Sequence, residues 1–440
     1  MKNLKKLILA IFFLAVLVFS FVSCDKKQEE GGFSGETKVL NVYNWGEYIS
    51  DGFEGAPDTN KDFEDYFNTY LAAKYGFYIK VNYTTYANNE EMYTKLQSGA
   101  GVYDVVVPSD YMIQKMISED MLLAFDVASD IENYKHIDGK FKGMEYDPSE
   151  QYTVPYTYGM LGVIYNTNLV DAEDVEDKSW GLLWNEKYKG KILQFNNPRD
   201  AFGTAMYYKG LDINSTDHAV WQQAFDVLSQ QKPLVQGYVN DEIFNKMTTA
   251  SAAVAPYYAG DYLTMAAQEE ALAFYYPTEG TNFFVDAFCI PKNAREPDVA
   301  KEYINFMLTE DAGVANALYV GYACPNNLVK NSEEYKAELA DYLGDNAYDI
   351  LYGTEPDVIN AAYMEKYGVA YYKMFSDDIQ SLVNTLWEGL KTENSTELWV
   401  HITSIAIVVG VLSFAIYDIY IKKKRSKDYR LRDKMNKKKA

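Results

Sequence analysis

Histidine and cysteine are scarce, three of each in 440 residues, and that scarcity removes the commonest enzyme chemistries. His136, His218 and His401 are scattered, and none stands at metal-ligand spacing from another His or a Cys, which argues against zinc hydrolysis and a histidine-based triad. Phosphate loops are missing as well: no GxGxxG follows a strand pattern, and no GxxxxGK[ST] occurs. The chain shows neither an internal repeat nor a low-complexity tract. No catalytic residue, cofactor or metal is therefore expected. Cys289 and Cys324 could pair in an oxidising compartment, but connectivity is not readable from sequence, and two ordinary buried thiols are the simpler reading.

Positive charge is scarce between the two ends. The formal net charge is −22; residues 1–24 carry +3, and residues 422–440 carry eleven Lys/Arg against two Asp, so residues 25–421 hold −34. Such a field repels nucleic acid and concentrates cations. A chain of 440 residues with 48% hydrophobic content exceeds what a single core supports, which predicts two lobes.

Both ends read as membrane addresses. "MKNLKKLILAIFFLAVLVFSFVSC" has three lysines and then an apolar run from Leu7 to Val22, the layout of a signal peptide. Its Ser23-Cys24 resembles a lipobox, which makes Cys24 a lipidation candidate; the alternative is an uncleaved anchor. Residues 25–37 read as a polar tether. From Leu398 to Ile421 the chain is apolar enough to cross a bilayer, and the basic tail 422–440 stays inside by the positive-inside rule. The body before it, residues 38–395, is then extracytoplasmic and membrane-anchored.

Within that body, "KDFEDYFNTYLAAKYG" has helical spacing, "FYIKVNY" alternates, "NNEEMYTKLQSG" reads as a capped helix and "YDVVVPS" as a buried strand. The alternation predicts an α/β fold with a mainly parallel sheet, and ligands in such sheets bind beyond the carboxyl ends of strands. A second unit starts at "YTVPYTYGMLGVIYN", residues 152–166, and "FFVDAFCIP", residues 283–291, reads as a strand leading into a pair of helices. Trp45 and Ser109 would both emerge at strand ends.

Six stretches in order, "VYNWGEYI", "EEMYTKLQSG", "YDVVVPSDYMIQKM", "SWGLLWNEKYKGKI", "FVDAFCIPKNA" and "VGYACPNN", resemble the bacterial spermidine/putrescine-binding proteins over roughly residues 38–390. These are the extracytoplasmic receptors of polyamine ABC importers. The resemblance implies a two-lobed, hinge-closing α/β fold of the type II periplasmic-binding-protein class, a polyamine ligand (putrescine and/or spermidine) and membrane-embedded permease subunits as partners. Carried over by position, Trp45, Glu47 and Tyr48 match first-strand ligand contacts, and Ser109 and Tyr111 match those of the "VVPS" loop. Asp200 falls where the family has an acid facing an amine. Tyr258 and Asp261 match an aromatic and an acid of putrescine-type members, Phe284 and Asp286 those of the "FVDAF" strand, and Tyr322 the "GY" tyrosine. Gly46, Asn197, Tyr258 and Phe284 depart from residues common at these positions, which bears on which polyamine is preferred.

The chemistry is consistent with that resemblance. A polyamine needs aromatic faces for its methylenes and carboxylates for its ammonium groups. Any one of the 40 tyrosines is as readily a core residue; the set at strand ends is what carries the reading. The rivals are a binding protein for a sugar or a cationic amino acid, an extracytoplasmic sensor and a periplasmic enzyme. Sugar sites need fewer carboxylates, a nineteen-residue tail is too short for an output domain, and the scarce His and Cys do not assemble a triad.

Overall fold

The computed structural model describes residues 35–353 and 368–392. The apolar N-terminal run with Cys24, most of the tether, the Leu398–Ile421 run and the basic tail lie outside them. Among the described residues no helix is long and apolar enough to cross a membrane.

Two compact units are distinguished. Of the described residues, the smaller holds 35–39 together with Glu64–Lys80. Here the Asn68 amide pairs with Ile79 in both directions, at 3.0 and 2.8 Å, and Phe67 packs on Tyr75 and Phe77. The helix expected over this stretch forms as Thr59–Tyr66, a π turn at Phe67–Leu71 and Ala72–Tyr75. Gly76 stops it with a φ of +83°, a left-handed conformation that glycine adopts without a Cβ penalty.

The sheet's strands are β1 (Thr37–Trp45) and β2 (Tyr78–Tyr86), which belong to the larger unit from Leu40 and Val81 onward, and, wholly in the larger unit, β3 (Val105–Val106), β4 (Thr153–Asn166), β5 (Ile192–Phe195), β6 (Val235–Val239), β7 (Val254–Tyr258), β8 (Leu272–Tyr275), β9 (Thr281–Cys289) and β10 (Val369–Ala370). Their order is β2-β1-β3-β9-β4-β7-β5-β6, with β10 on β9 and β8 on β4. The sheet is mixed rather than mainly parallel: β1 runs parallel to β3, and β5 to β6 and β7, but β9 is antiparallel to β3 and β4, and β4 is antiparallel to β7 and β8. Most of the antiparallel pairs involve one strand, β4. Thr153–Met160 of β4 pairs with β9, and Leu161–Tyr165 pairs with β7, so a single 14-residue strand serves two sheet halves. A register shift between Pro155 and Thr157 marks where proline, lacking an N–H, interrupts the ladder.

Both β4 and β9 are buried along nearly their whole length, as expected of strands covered on both faces. Cys289 and Cys324 are free and buried, and burial pushes both thiols up. Several strands hand over directly to capped helices. Asn88 accepts from the Glu91 N–H to start the helix Asn89–Gln97, and Asn197 accepts from the Asp200 N–H, with Pro198 following it, to start Pro198–Tyr208. These caps fix Asn89 and Asp200 at helix N-termini beyond strand ends.

Candidate functional site

Where β1, β3, β5 and β7 end, and along the middle of β9, side chains enclose a cavity of about 950 Å³, part of it open to solvent. Trp45, Glu47, Tyr48, Ser109, Tyr111, Asp200, Tyr258, Asp261, Phe284, Asp286 and Tyr322 all line it. The structure therefore brings the eleven ligand-binding candidates to one cavity, while Cys24, the lipidation candidate, lies outside the described residues. Asn89, Asp110, Arg199, Asp241, Asn282 and Tyr372 also line it and were not anticipated.

The organising motif is a tyrosine donating to an aspartate, used three times. Tyr48 donates to Asp286 Oδ2 at 2.5 Å and accepts from the Thr157 hydroxyl at 2.7 Å. Tyr258 donates to Asp200 Oδ2 at 2.6 Å, and the Asn197 amide donates to the same oxygen at 2.6 Å. Tyr322 donates to Asp261. Burial raises all three acids, Asp286 and Asp200 to about 6 and Asp261 to about 7, and their tyrosine partners offset part of the rise. Burial also pushes the three phenols well up, so each stays a donor.

Aromatic rings form the walls. Trp45 is held by its indole N–H on the Val107 carbonyl, 2.9 Å away, and leans on Tyr86. Tyr258, Phe284 and Tyr322 meet one another at ring separations of 5.4–6.3 Å. Glycine makes room behind this wall: a Cβ on Gly260 would lie 1.8 Å from Tyr322 Cδ1 and 2.7 Å from the Gly321 carbonyl oxygen. Gly260→Ala is expected to cost about 1–3 kcal/mol by overpacking and to push Tyr322 off Asp261. Thermal melting checks it, and an unchanged melting temperature would mean that the ring gives way freely.

Two of the expected residues face differently from the rest. Glu47 is exposed at the mouth, with its carboxylate on the Tyr319 hydroxyl at 3.1 Å and a φ of +51°. Tyr111 is buried, and its hydroxyl donates to Glu90 and accepts from Asn89, both at 3.1 Å. Beside it Arg199 is 3% exposed, its guanidinium 3.6 Å from the Phe375 ring centre and 4.4 Å from that of Tyr372. It donates to Asn214 Oδ1 and the Lys373 carbonyl. Arg199 had a signal, since it adjoins Asp200 on one helix. Tyr372 had none, because it arrives from a segment about 170 residues downstream.

Buried acids with aromatic faces make a dry receptor for a cationic group on an apolar chain: the acids meet the charge, and the rings cover methylenes. Among the described residues no cluster of His, Cys, Asp and Glu is arranged to hold a metal.

Comparison with known proteins agrees with this geometry. The family model of bacterial extracellular solute-binding proteins matches residues 65–341. The spermidine/putrescine-binding periplasmic protein of Salmonella typhimurium is 30% identical over 296 residues, 67% of this chain and 79% of that protein. The putrescine-binding periplasmic protein PotF of Escherichia coli is 28% identical over 67% of this chain and 80% of its own. Among solved structures, the spermidine/putrescine ABC transporter substrate-binding protein PotD from Streptococcus pneumoniae superposes with a TM-score of 0.60 at 31% identity, covering 81% of this chain and 99% of that one. The matched length and identity, together with the fold, mean that this chain belongs to the bacterial extracellular solute-binding proteins, in the family of the spermidine/putrescine-binding periplasmic proteins.

Proposed function

We propose that this chain captures a polyamine outside the cytoplasm and delivers it to the permease subunits of an ABC importer, acting as a binding protein and not as an enzyme. One observation carries the reading: two buried carboxylates, Asp200 and Asp286, and the half-buried Asp261, each oriented by a tyrosine, share a single aromatic cavity. Left empty, the desolvated acids are also repelled by neighbouring carboxylates, Asp286 by Asp200 and Asp261 by Asp241; a flexible polycation relieves both the desolvation and the repulsion. A neutral sugar relieves neither.

Closure fits the sheet. The strand β4 passes from one half to the other, so a small bend along it moves the Trp45 side toward the Asp261 side and shuts the cavity as a hinge does. Calorimetric titration of the full-length chain with putrescine, spermidine, arginine and maltose tests the reading. Micromolar or tighter binding of a polyamine, with none of maltose, is the expected result; the reverse would end it.

The ends extend the proposal. We take residues 1–24 as a signal segment with Cys24 as the lipidation site, and residues 398–421 as a membrane span that leaves the basic tail 422–440 in the cytoplasm. Protease added to intact cells is expected to remove the body and spare an antibody tag on the tail. A cleaved tag would refute this topology.

A further inference from the structure

One buried amide in the cavity wall has both its protons committed, and both go to site residues. Asn89 is 3% exposed and opens the helix Asn89–Gln97 beyond β2. Its side-chain oxygen accepts from the Ser109 backbone N–H at 3.2 Å. A backbone N–H can only donate, which fixes the orientation of the amide and leaves its two N–H groups for other partners. One goes to Ser109 Oγ and one to the Tyr111 hydroxyl, each at 3.1 Å. A hydroxyl has a single proton, so one that accepts from Asn89 points its own proton elsewhere. The Tyr111 proton goes to Glu90 Oε1, 3.1 Å away. Ser109 lies opposite Asp286 in a β-bridge, and its hydroxyl partners the Asp286 carboxylate.

We propose that Asn89 is a positioning residue of the polyamine site: by donating to Ser109 and Tyr111 it turns both hydroxyl protons onto acids, and through Ser109 it prepares the Asp286 carboxylate for an ammonium group. The inference rests on the polyamine reading above. Asp286 receives two donors, and each of them accepts from a neighbour in turn, Tyr48 from Thr157 and Ser109 from Asn89. Bonds in such a chain polarise one another, which strengthens the donor that reaches the carboxylate. Burial pushes Asp286 up to about 6, and both donors oppose the rise. The two hydroxyls keep no proton for the ligand. They offer it lone pairs, which suits an ammonium group and fails a carboxylate, since a carboxylate needs donors. The titratable groups facing Asp286 are Tyr48, Tyr86 on β2, Asp110 beside Tyr111, and Asp200. Among the described residues the Asn89 side chain bonds to none of these, so its removal reaches Asp286 through Ser109.

Calorimetric titration of the full-length chain with putrescine and with spermidine at pH 5.5 and 8.5 tests this, for the parent, Asn89→Ala, Asn89→Leu, Ser109→Ala and the double variant Asn89→Ala with Ser109→Ala. Without the Ser109 donor the protonated form of Asp286 gains, so the ligand must displace a proton at low pH and meets none at high pH. Each Asn89 variant should lose about 10-fold in affinity at pH 5.5 and less than about 3-fold at pH 8.5. Ser109→Ala should show the same pattern, and adding Asn89→Ala to it should weaken binding by less than about 3-fold more, because the two residues act in series. Ser109→Ala removes one hydroxyl only, so the pH signature is required of it whatever the Asn89 variants do to the ligand-free melting temperature. Equal losses at the two pH values, as a merely distorted site would give, would overturn this role for Asn89. So would a loss at Asn89 that persists in full without Ser109, or affinities that do not change. Each of these leaves polyamine capture standing. A parent that binds neither polyamine would bring down both.

Discussion

At pH 5 the chain is expected to bind spermidine about 100-fold or more weakly than at pH 8, although the ligand keeps its charge throughout. The cause lies in the acids. Asp200 and Asp286 titrate at about 6 and Asp261 at about 7, so all three are ionised at pH 8 and mostly protonated at pH 5. At one unit below its pKa an acid is only about one-tenth ionised, so two acids at about 6 that must be charged to hold an ammonium already cost roughly a factor of 100. The ligand-free chain responds in the opposite sense. These acids have folded pKa values raised above their ordinary value of 3.8, so between about pH 4 and 7 the folded state binds more protons than the unfolded one. Their contribution to stability is full below about pH 4 and is lost as pH rises through 6 to 7. Binding and empty-state stability therefore trade against each other, as in a site whose charge is tolerated for its ligand. Titrations at pH 5, 6, 7 and 8 at fixed ionic strength read the first trend. Comparing the melting of the parent with Asp261→Asn over the same range reads the second, because the variant loses the share of the slope that Asp261 supplies. An affinity that is flat in pH would show that these acids do not hold the ligand.

Asp286→Asn is expected to weaken polyamine binding by about 10- to 150-fold. A hydrogen bond to a charged group contributes roughly 1.5–3 kcal/mol, and here the acceptor is 4% exposed, where little water screens it. The substitution keeps the shape of the side chain. Its amide oxygen still accepts from Tyr48, whose hydroxyl also accepts a hydrogen bond from Thr157, so the wall is preserved. The melting temperature of the empty variant at pH 8 should not fall, since a desolvated charge has been removed. An exposed control, Glu334→Gln, should change neither property. Equal affinity for polyamine in Asp286→Asn and in the parent would remove Asp286 from the site and the Tyr48–Asp286 pair with it.

The residues that touch the cavity were legible because the fold delivers them from short, local stretches. Trp45 ends a strand, Ser109 precedes a helix, Tyr258 and Asp261 sit where one becomes the other, and Phe284 and Asp286 alternate on β9. A strand followed by a helix sends its terminal side chains to one edge whatever lies elsewhere in the chain, so residue type and local period suffice to nominate them. Asn282 shared that period and was passed over, because an asparagine on a strand announces no chemistry of its own.

Everything that pairs those residues was invisible. Tyr48 and Asp286 are 238 positions apart, Tyr322 and Asp261 are 61 apart, and Tyr258 and Asp200 are 58 apart. No local pattern encodes which phenol meets which acid. The mixed sheet was hidden for the same reason: the helical and strand periods fix what β4 is, but its double pairing depends on which strands lie on either side of it. The raised acidities follow from that assembly, because desolvation is a property of what surrounds a group. A carboxylate in the sequence is an ordinary acid. It becomes a receptor for a cation only when the sheet, the aromatic wall and its tyrosine partner have taken its water away.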